Sequence, residues 1–363
     1  MENSKKKIGM IFPGQGSQVL GMGKDLYDKQ RIVQELFEEA SNCLDTNFVR
    51  LCFASSEREL RETVNAQTAI FLISAAVYSL LKEKYGIVPD VVAGHSSGEY
   101  AAIFAAGGMS FVDTLYLLKK RALFMEEATK TVYGSMIAVL GLPQARVQEI
   151  CARYDDKNSH VQVAEVVNYN ATTNFVVSGT VNVLDLVKAD VIAAGGKVSM
   201  LNVAGAFHSR LMVTAAKLFA MYMVKVDFND LEVPLVSNTE ARMIESKDDL
   251  KMLINRQMSS HTLWWQSMQQ FADCDIILEV GPSDKLSKML KREWPHKEIY
   301  QVNTMQDVED LLERLGVPFE QEYLIDAEIE KVHKSSKKKQ APASVPLEEA
   351  VQAEAVQEVA QAQ

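Results

Sequence analysis

Cysteine is scarce in this sequence. Its 363 residues include four cysteines, and no two of them form a Cys-x-x-Cys pair or follow the spacing of a metal site. So few isolated cysteines are typical of a chain kept in a reducing compartment. We therefore expect a reduced, cytoplasmic chain without a bound metal.

Positive charge is also in short supply. The 38 lysines and arginines are outnumbered by 48 aspartates and glutamates, which gives a formal net charge of −10. This balance disfavours general binding to nucleic acid or to a membrane surface. No segment is predicted to span a membrane, and Ile8–Phe12 is too short for the core of a signal peptide. We expect neither nucleic acid nor a membrane as a partner.

Aromatic residues are absent from the end of the chain. Residues 341–363 consist almost entirely of Ala, Val, Gln, Glu and Pro, a composition that cannot build a core. We expect residues 333–363 to be a disordered tail. Residues 305–332 are predicted to form a helical extension, with a helix at 307–315.

A nucleophile elbow is indicated by the sequence Gly-His-Ser-Ser-Gly at residues 94–98. An apolar strand precedes it and a helix follows at once, so the glycines permit a sharp reversal that exposes Ser96. The backbone N–H of Ser97 would then face the oxyanion of a tetrahedral intermediate. The alternative is a Gly/Ser-rich turn without chemistry.

The candidate base is one of six histidines. His95 lies inside the elbow, with its side chain directed away from the serine. His208 follows the predicted strand 197–203 in a turn of small residues, and this placement favours it over His261. A histidine that is only part of the core is the alternative for His208.

A bare loop follows the first predicted strand. Gly14-Gln15-Gly16 lets the backbone approach a substrate closely, but it lacks the further residues of a phosphate-binding loop. Its useful group is the amide of Gln15, which we expect beside Ser96.

In combination these motifs resemble the malonyl-CoA:acyl-carrier-protein transacylases, the acyltransferase family of fatty acid and polyketide synthesis. The resemblance runs from about residue 8 to about residue 304. The motifs that carry it, in the family's order, are Phe12–Gln18, Gly94–Glu99, Arg121, Gly205–Ser209 and Val236–Asn238.

The resemblance implies a role for each site residue. Ser96 takes the acyl group as an ester, His208 acts as base, and the backbone N–H groups of Gln15 and Ser97 form the oxyanion hole. Arg121 grips the free carboxylate of the malonyl unit, since a planar guanidinium offers two parallel donors to a carboxylate.

Three further positions qualify the match. Gln257 corresponds to the position near the carbonyl that orients the family's histidine. Phe207 beside the base resembles the malonyl-selective pattern, because its bulk would crowd an α-methyl group. Ser97 stands where relatives usually have Leu, Ile or Gln, so the backbone donor is retained while the pocket shape is left open.

The implied reaction moves a malonyl group from malonyl-CoA to the phosphopantetheine thiol of an acyl carrier protein. It proceeds through a malonyl-serine with ping-pong kinetics and needs no cofactor beyond these thioester groups. We expect a monomer. Both partners are anionic, so docking needs a positive face, for which the candidates are Lys119, Lys120, Lys285, Lys288, Lys291 and Arg292.

Rival functions share some of these features. An α/β-hydrolase would need an acid between the serine and the histidine, nominally Glu165, Asp185 or Asp190. An acyl hydrolase of the same fold would edit carrier-bound chains, but Arg121 argues for transfer. A noncatalytic scaffold that binds carrier protein is the third alternative.

The predicted fold is α/β, with a large hydrolase-like subdomain around a mostly parallel sheet. This subdomain takes residues 1–129 and 204–304. Residues 130–203 form a smaller ferredoxin-like subdomain of βαββαβ order. Its predicted elements are strands at 133–141, 161–167, 174–178 and 197–203 and helices at 143–154 and 181–194.

Overall fold

The computed structural model describes residues 6–131, 133–203 and 205–320, which contain two sheets. The strands are β1 (Ile8–Phe12), β2 (Val91–Gly94), β3 (Gly134–Leu140), β4 (Ala164–Ala171), β5 (Asn174–Thr180), β6 (Lys197–Met200), β7 (Leu235–Val236), β8 (Met243–Ile244), β9 (Ile276–Val280) and β10 (Glu298–Val302).

Helices surround both sheets. They are α1 (Lys24–Lys29), α2 (Arg31–Leu44), α3 (Phe48–Phe53), α4 (Glu57–Arg61), α5 (Thr63–Ser79), α6 (Gly98–Ala105), α7 (Phe111–Thr131), α8 (Gln144–Ala152), α9 (Val181–Ala193), α10 (Val213–Met223), α11 (Lys247–Gln257), α12 (Trp264–Met268), α13 (Lys285–Glu293) and α14 (Met305–Leu315). Shorter 3-10 turns lie at Arg210–Met212 and Gln269–Phe271, and a π-helical turn at Leu80–Lys84.

The larger sheet has six strands in the order β10-β9-β1-β2-β7-β8. All its pairings are parallel except that of β7 with β8. β1 and β9 are buried at every position, as expected for parallel strands covered by helices on both faces. The loops after β1 and β2 leave the same edge of the sheet, which brings residues 13–17 beside the elbow.

Helix α5 contains a long apolar run. Together with its π-helical turn it spans Thr63–Lys84, and it is long and apolar enough to cross a membrane. However, 89% of the apolar window is buried inside the protein, which is the burial of a core helix. Its apolar surface packs against the rest of the fold, so this run does not contradict the expectation that no segment spans a membrane.

The smaller sheet is antiparallel with the order β4-β5-β3-β6. Helix α8 follows β3 and helix α9 follows β5, so this unit has the predicted βαββαβ connectivity and the ferredoxin-like strand order. The predicted fold class is confirmed. Strand β4 runs on to Ala171, past the predicted end at 167, because it continues its pairing with β5 across two register shifts.

The chain up to Glu320 packs as one unit that holds both sheets. The subdomain limits drawn from the sequence therefore stay predictions. Helix α14 lies where a helix was expected at 307–315. The disordered tail predicted for 333–363 and the end of the 305–332 extension lie outside the described residues.

Candidate active site

The turn between β2 and α6 places Ser96 at a strained position. Its φ of 53° lies in the left-handed region, which is uncommon for a residue other than glycine. A Cβ on Gly94 would lie 2.0 Å from the carbonyl group of Gly98, and one on Gly98 would lie 2.3 Å from the carbonyl oxygen of Phe12. Only glycine fits at these two positions, so the sequence dictates this elbow.

A buried asparagine after the neighbouring strand β7 fixes the elbow. Asn238, two residues after the end of β7, accepts a hydrogen bond from the Ser96 backbone N–H at 2.8 Å through Oδ1. Its Nδ2 donates to the carbonyl oxygen of Gly94 at 2.5 Å. The side chain thereby provides hydrogen-bond partners for two backbone groups of the strained turn. Sequence reasoning quoted Asn238 as part of a motif but gave it no role.

Ser96 and His208 are in direct contact. The Ser96 hydroxyl lies 2.7 Å from His208 Nε2. His208 Nδ1 lies 3.1 Å from the carbonyl oxygen of Gln257 and 3.2 Å from that of Ser260. Two carbonyl acceptors place the ring hydrogen on Nδ1, which leaves Nε2 free to accept the serine hydrogen.

The surroundings of His208 keep it neutral. Burial lowers its pKa to about 3, and the positive charge of Arg121 acts in the same direction. The ring is 3% exposed, and the Ser178 hydroxyl ties the preceding residue to the smaller sheet by donating to the carbonyl oxygen of Phe207 at 2.6 Å. A neutral imidazole so placed can take a proton from the serine at any pH near neutrality.

The carboxylates that a hydrolase triad would use lie elsewhere. Glu165 pairs with Arg210, Asp190 pairs with Arg153, and Asp185 is exposed on α9. The two partners of His208 Nδ1 are carbonyl oxygens, which matches the expected orientation by backbone. The geometry therefore disfavours the α/β-hydrolase alternative. His261 does not reach Ser96 and packs beside the ring of Tyr169.

Arg121 points its guanidinium at the serine from α7. Its side chain is 1% exposed, so it is not the solvated cation that two neighbouring lysines would suggest. Nε and Nη2 donate to Gln257 Oε1 at 3.1 and 2.9 Å, and Nη1 donates to Gln67 Oε1 at 2.8 Å. Nη2 also lies 3.4 Å from Ser96 Oγ. These contacts use four of the five guanidinium hydrogens, which leaves one on Nη1.

The amino-terminal loop is held by two side chains. The backbone N–H of Gln15 donates to Ser97 Oγ at 3.1 Å, and the Gln15 side-chain oxygen accepts from Gln67 Nε2 at 3.0 Å. The expected oxyanion donor is thus beside the elbow but already has an acceptor. Gln67 links this loop to Arg121, a role that no local sequence signal reveals because it depends on contacts between distant residues.

Gln15, Ser96 and His208 line a cleft of about 490 Å³ between the two sheets. Phe207 lines the cleft, and so does His95, whose Nε2 lies 2.9 Å from Asn170 Oδ1 and therefore faces away from the serine. Of the six basic candidates, Lys285, Lys288 and Arg292 line the cleft. The others, Lys119, Lys120 and Lys291, do not line this cleft and contact the Leu44 carbonyl or tyrosine rings.

The chain is similar in sequence to known acyltransferases. The sequence model of the "Acyl transferase domain" family matches residues 10–292. The chain is 37% identical over 289 residues to the malonyl CoA-acyl carrier protein transacylase of Bacillus subtilis (strain 168), an alignment that covers 79% of this chain and 90% of that one. With the counterpart from Staphylococcus aureus (strain COL) it shares 34% over 307 residues, or 83% and 97% of the two chains. The chain is an acyltransferase.

Solved structures agree with this class. The crystal structure of MCAT from Streptococcus pneumoniae superposes with a TM-score of 0.78 at 36% identity and covers 85% of this chain and all of that one. A malonyl-transacylase solved in complex with its type II PKS acyl-carrier protein has a TM-score of 0.81 at 29% identity, with 85% and 99% covered. The chain belongs to the family of malonyl CoA-acyl carrier protein transacylases.

Proposed function

We propose that this protein transfers a malonyl group from malonyl-CoA to the phosphopantetheine thiol of an acyl carrier protein. The observation that carries the proposal is the buried Arg121 guanidinium beside the Ser96 hydroxyl, which itself contacts His208. A serine and a histidine serve many acyl-transfer reactions, but a buried cation next to them selects an acyl group with a carboxylate of its own. The names of the relatives support this choice.

The first half-reaction forms a malonyl-serine. Nε2 of His208 takes the Ser96 proton as the serine oxygen attacks the thioester carbonyl, and the negative charge moves to the carbonyl oxygen. The backbone N–H groups of Gln15 and Ser97 stabilise that oxyanion. When the intermediate collapses, the C–S bond breaks and the imidazolium returns the proton to the sulfur, so coenzyme A leaves as a thiol.

The second half-reaction reverses these steps with a different thiol. The phosphopantetheine sulfur loses its proton to His208 and attacks the ester carbonyl. Collapse of the intermediate releases the Ser96 oxygen, which regains the proton. One base serves both halves because its carbonyl partners hold Nδ1–H throughout. We infer that the protein works as a cytoplasmic monomer without a cofactor of its own.

Selectivity for malonyl follows from the pairing of Arg121. Its remaining Nη1 hydrogen and the Nη2 hydrogen that contacts Ser96 Oγ suit the two oxygens of a carboxylate. An acetyl group would leave the guanidinium without that partner in a water-poor site, which costs about 2–5 kcal/mol of binding. We expect a strong preference for malonyl over acetyl.

Intact-protein mass spectrometry tests the proposal. After brief incubation with malonyl-CoA the natural protein is expected to gain one malonyl mass on Ser96, and with acetyl-CoA little or nothing. In Arg121→Ala the preference for malonyl over acetyl should be at least about 30-fold smaller. Lys130→Ala, which changes an exposed cation on the same helix, is the control and should keep it.

Other results of this experiment would favour the alternative functions. Rapid thioester loss without an adduct would identify a hydrolase, whereas no reaction with either thioester would favour the scaffold. An unchanged preference in Arg121→Ala would remove the argument from the buried guanidinium.

A further inference from the structure

Glu99 is a buried acid that the mechanism above does not use. It lies in the first turn of α6 and is 3% exposed. Both of its oxygens accept hydrogen bonds: Oε1 from the backbone N–H of Asn238 at 2.8 Å, and Oε2 from Gln257 Nε2 at 2.5 Å. One carboxylate thus contacts the residue that clamps the elbow and the residue that holds Arg121.

The amide of Gln257 has a definite polarity between its neighbours. Its Nε2 donates to Glu99 and to the carbonyl oxygen of Ser96 at 2.9 Å, while its Oε1 accepts both bonds from Arg121. If the amide were reversed, its NH₂ group would face the guanidinium, which only donates. An acceptor on the Glu99 side therefore keeps the Gln257 oxygen turned towards Arg121.

We propose that Glu99 is a positioning residue that sets the direction of this amide and thereby aims Arg121 at the substrate carboxylate. The proposal deepens the proposed function and rests on it for the identity of the substrate. The same carboxylate holds the backbone of Asn238, so the elbow and the carboxylate-binding cation share one anchor. Only an ionised carboxylate offers acceptors on both sides.

The charges around Glu99 predict a dependence on pH. Arg121 faces it from α7 and the Tyr100 ring lies beside them on α6, while Gln257 from α11 and Asn238 after β7 are neutral. Burial raises the pKa of Glu99 to about 7, against the lowering effect of its hydrogen-bond donors and of Arg121. Protonation of Glu99 would put a hydrogen on one of its oxygens, where it would face the N–H group of Asn238 or Gln257 that now donates to that oxygen. Malonyl-serine formation is therefore expected to fall as the pH drops below about 7.

The substitution Glu99→Gln tests this arrangement with little change in shape. The introduced amide accepts from Asn238 with its oxygen, so its NH₂ group meets the NH₂ group of Gln257 and turns that amide over. We expect malonyl-serine formation to slow by at least about tenfold, which corresponds to one misdirected charge-assisted hydrogen bond. The malonyl-to-acetyl preference should approach that of Arg121→Ala, and the fall in rate below pH 7 should disappear.

The matched control is Glu279→Gln. Glu279 is fully buried in β9, and its oxygens accept from the backbone N–H groups of Leu286 and Ser287. This variant loses a buried carboxylate with two donors but touches neither Arg121 nor the elbow. It should lose stability and keep the malonyl preference and the pH profile.

A second variant keeps the test decisive if Glu99→Gln does not fold. Gln257→Met removes the amide while the backbone carbonyl that holds His208 remains, and it should lower the malonyl preference in the same way. The proposal is wrong if either folded variant keeps the natural preference and pH profile, because Glu99 would then only support the fold.

One readout is independent of turnover. The ¹⁵N resonance of the Arg121 Nε–H should be sharp in the natural protein and broadened by exchange with water in Glu99→Gln. If the natural protein forms no malonyl-serine but this change is seen, the positioning role stands and the proposed substrate fails. If malonyl-serine forms and the resonance is unchanged in the variant, the positioning role fails alone.

Discussion

The hydroxyl of Ser97 occupies a backbone donor that the proposed reaction needs. The Gln15 N–H donates to Ser97 Oγ at 3.1 Å in the free protein, and it must turn to the oxyanion during acylation. A side chain such as Leu, which the resemblance leads us to expect at this position, would leave the donor free. We therefore expect Ser97 to affect the proposed oxyanion hole directly.

Ser97→Ala is expected to accelerate malonyl-serine formation. The variant removes the acceptor that competes for the Gln15 N–H, and a typical net hydrogen bond is worth about 0.5–1.5 kcal/mol, or roughly two- to tenfold in rate. Rapid-quench mass spectrometry of the acylation step measures the change. Ser209→Ala removes a hydroxyl that bonds the Ala206 carbonyl near His208, and it should not accelerate the step. A slower Ser97→Ala would show that the hydroxyl supports the loop instead.

At the scale of single residues, the sequence was informative where the chemistry is local. Ser96 could be found because its glycine neighbours define a sharp turn, and Arg121 was found only through the resemblance. Gln67 and Asn238 received no role, since both act through hydrogen bonds to residues more than 50 positions away. Long-range side-chain contacts of this kind leave no periodic or compositional signal.

At the scale of elements, the order of strands and helices could be predicted better than their ends. The βαββαβ unit was predicted from alternating apolar patterns and is confirmed. Strand β6 ends at Met200 instead of 203, and β4 runs on to Ala171 because it keeps pairing after the polar Asn168. The two-residue strand β7 was too short to predict from any pattern, yet it carries Asn238 to the elbow.

The end of β7 is therefore expected to control the nucleophile. Asn238→Ala leaves the Ser96 N–H and the Gly94 carbonyl without their partner, at about 1–3 kcal/mol for each buried group. We expect a lower unfolding midpoint in thermal denaturation and a malonyl-serine rate reduced by at least about tenfold. Asn238→Asp keeps the acceptor for Ser96 but sets a buried carboxylate oxygen against the Gly94 carbonyl oxygen, so it should be destabilised at least as much as Asn238→Ala. Natural activity in Asn238→Ala would contradict the clamp.

At the scale of the whole molecule, a chain with a net charge of −10 presents cations at one cleft. Lys285, Lys288 and Arg292 come from the helix that follows β9, at the edge of the sheet where the active site opens. Coulombic attraction at this mouth offsets the repulsion that the rest of the surface exerts on anionic partners. We therefore expect an acyl carrier protein to dock on helix α13.

The double variant Lys288→Glu/Arg292→Glu is expected to slow transfer from malonyl-serine to acyl carrier protein. The effect should be about tenfold or more at low ionic strength and should shrink as salt screens it. Transfer to free pantetheine, a neutral thiol, should be unchanged and serves as the control reaction. Equal slowing with both acceptors would mean that the cleft itself was damaged.

The hydrogen bonds from Asn238 to the elbow also affect when the active site can form during synthesis of the chain. Ser96 and Asn238 are 142 positions apart, and the carbonyl groups that orient His208 belong to Gln257 and Ser260. A nascent chain that has left the ribosome only as far as residue 230 contains Ser96 and His208 but none of these partners. The reactive serine is therefore assembled late in synthesis, and a chain that ends at residue 230 is expected to form no malonyl-serine.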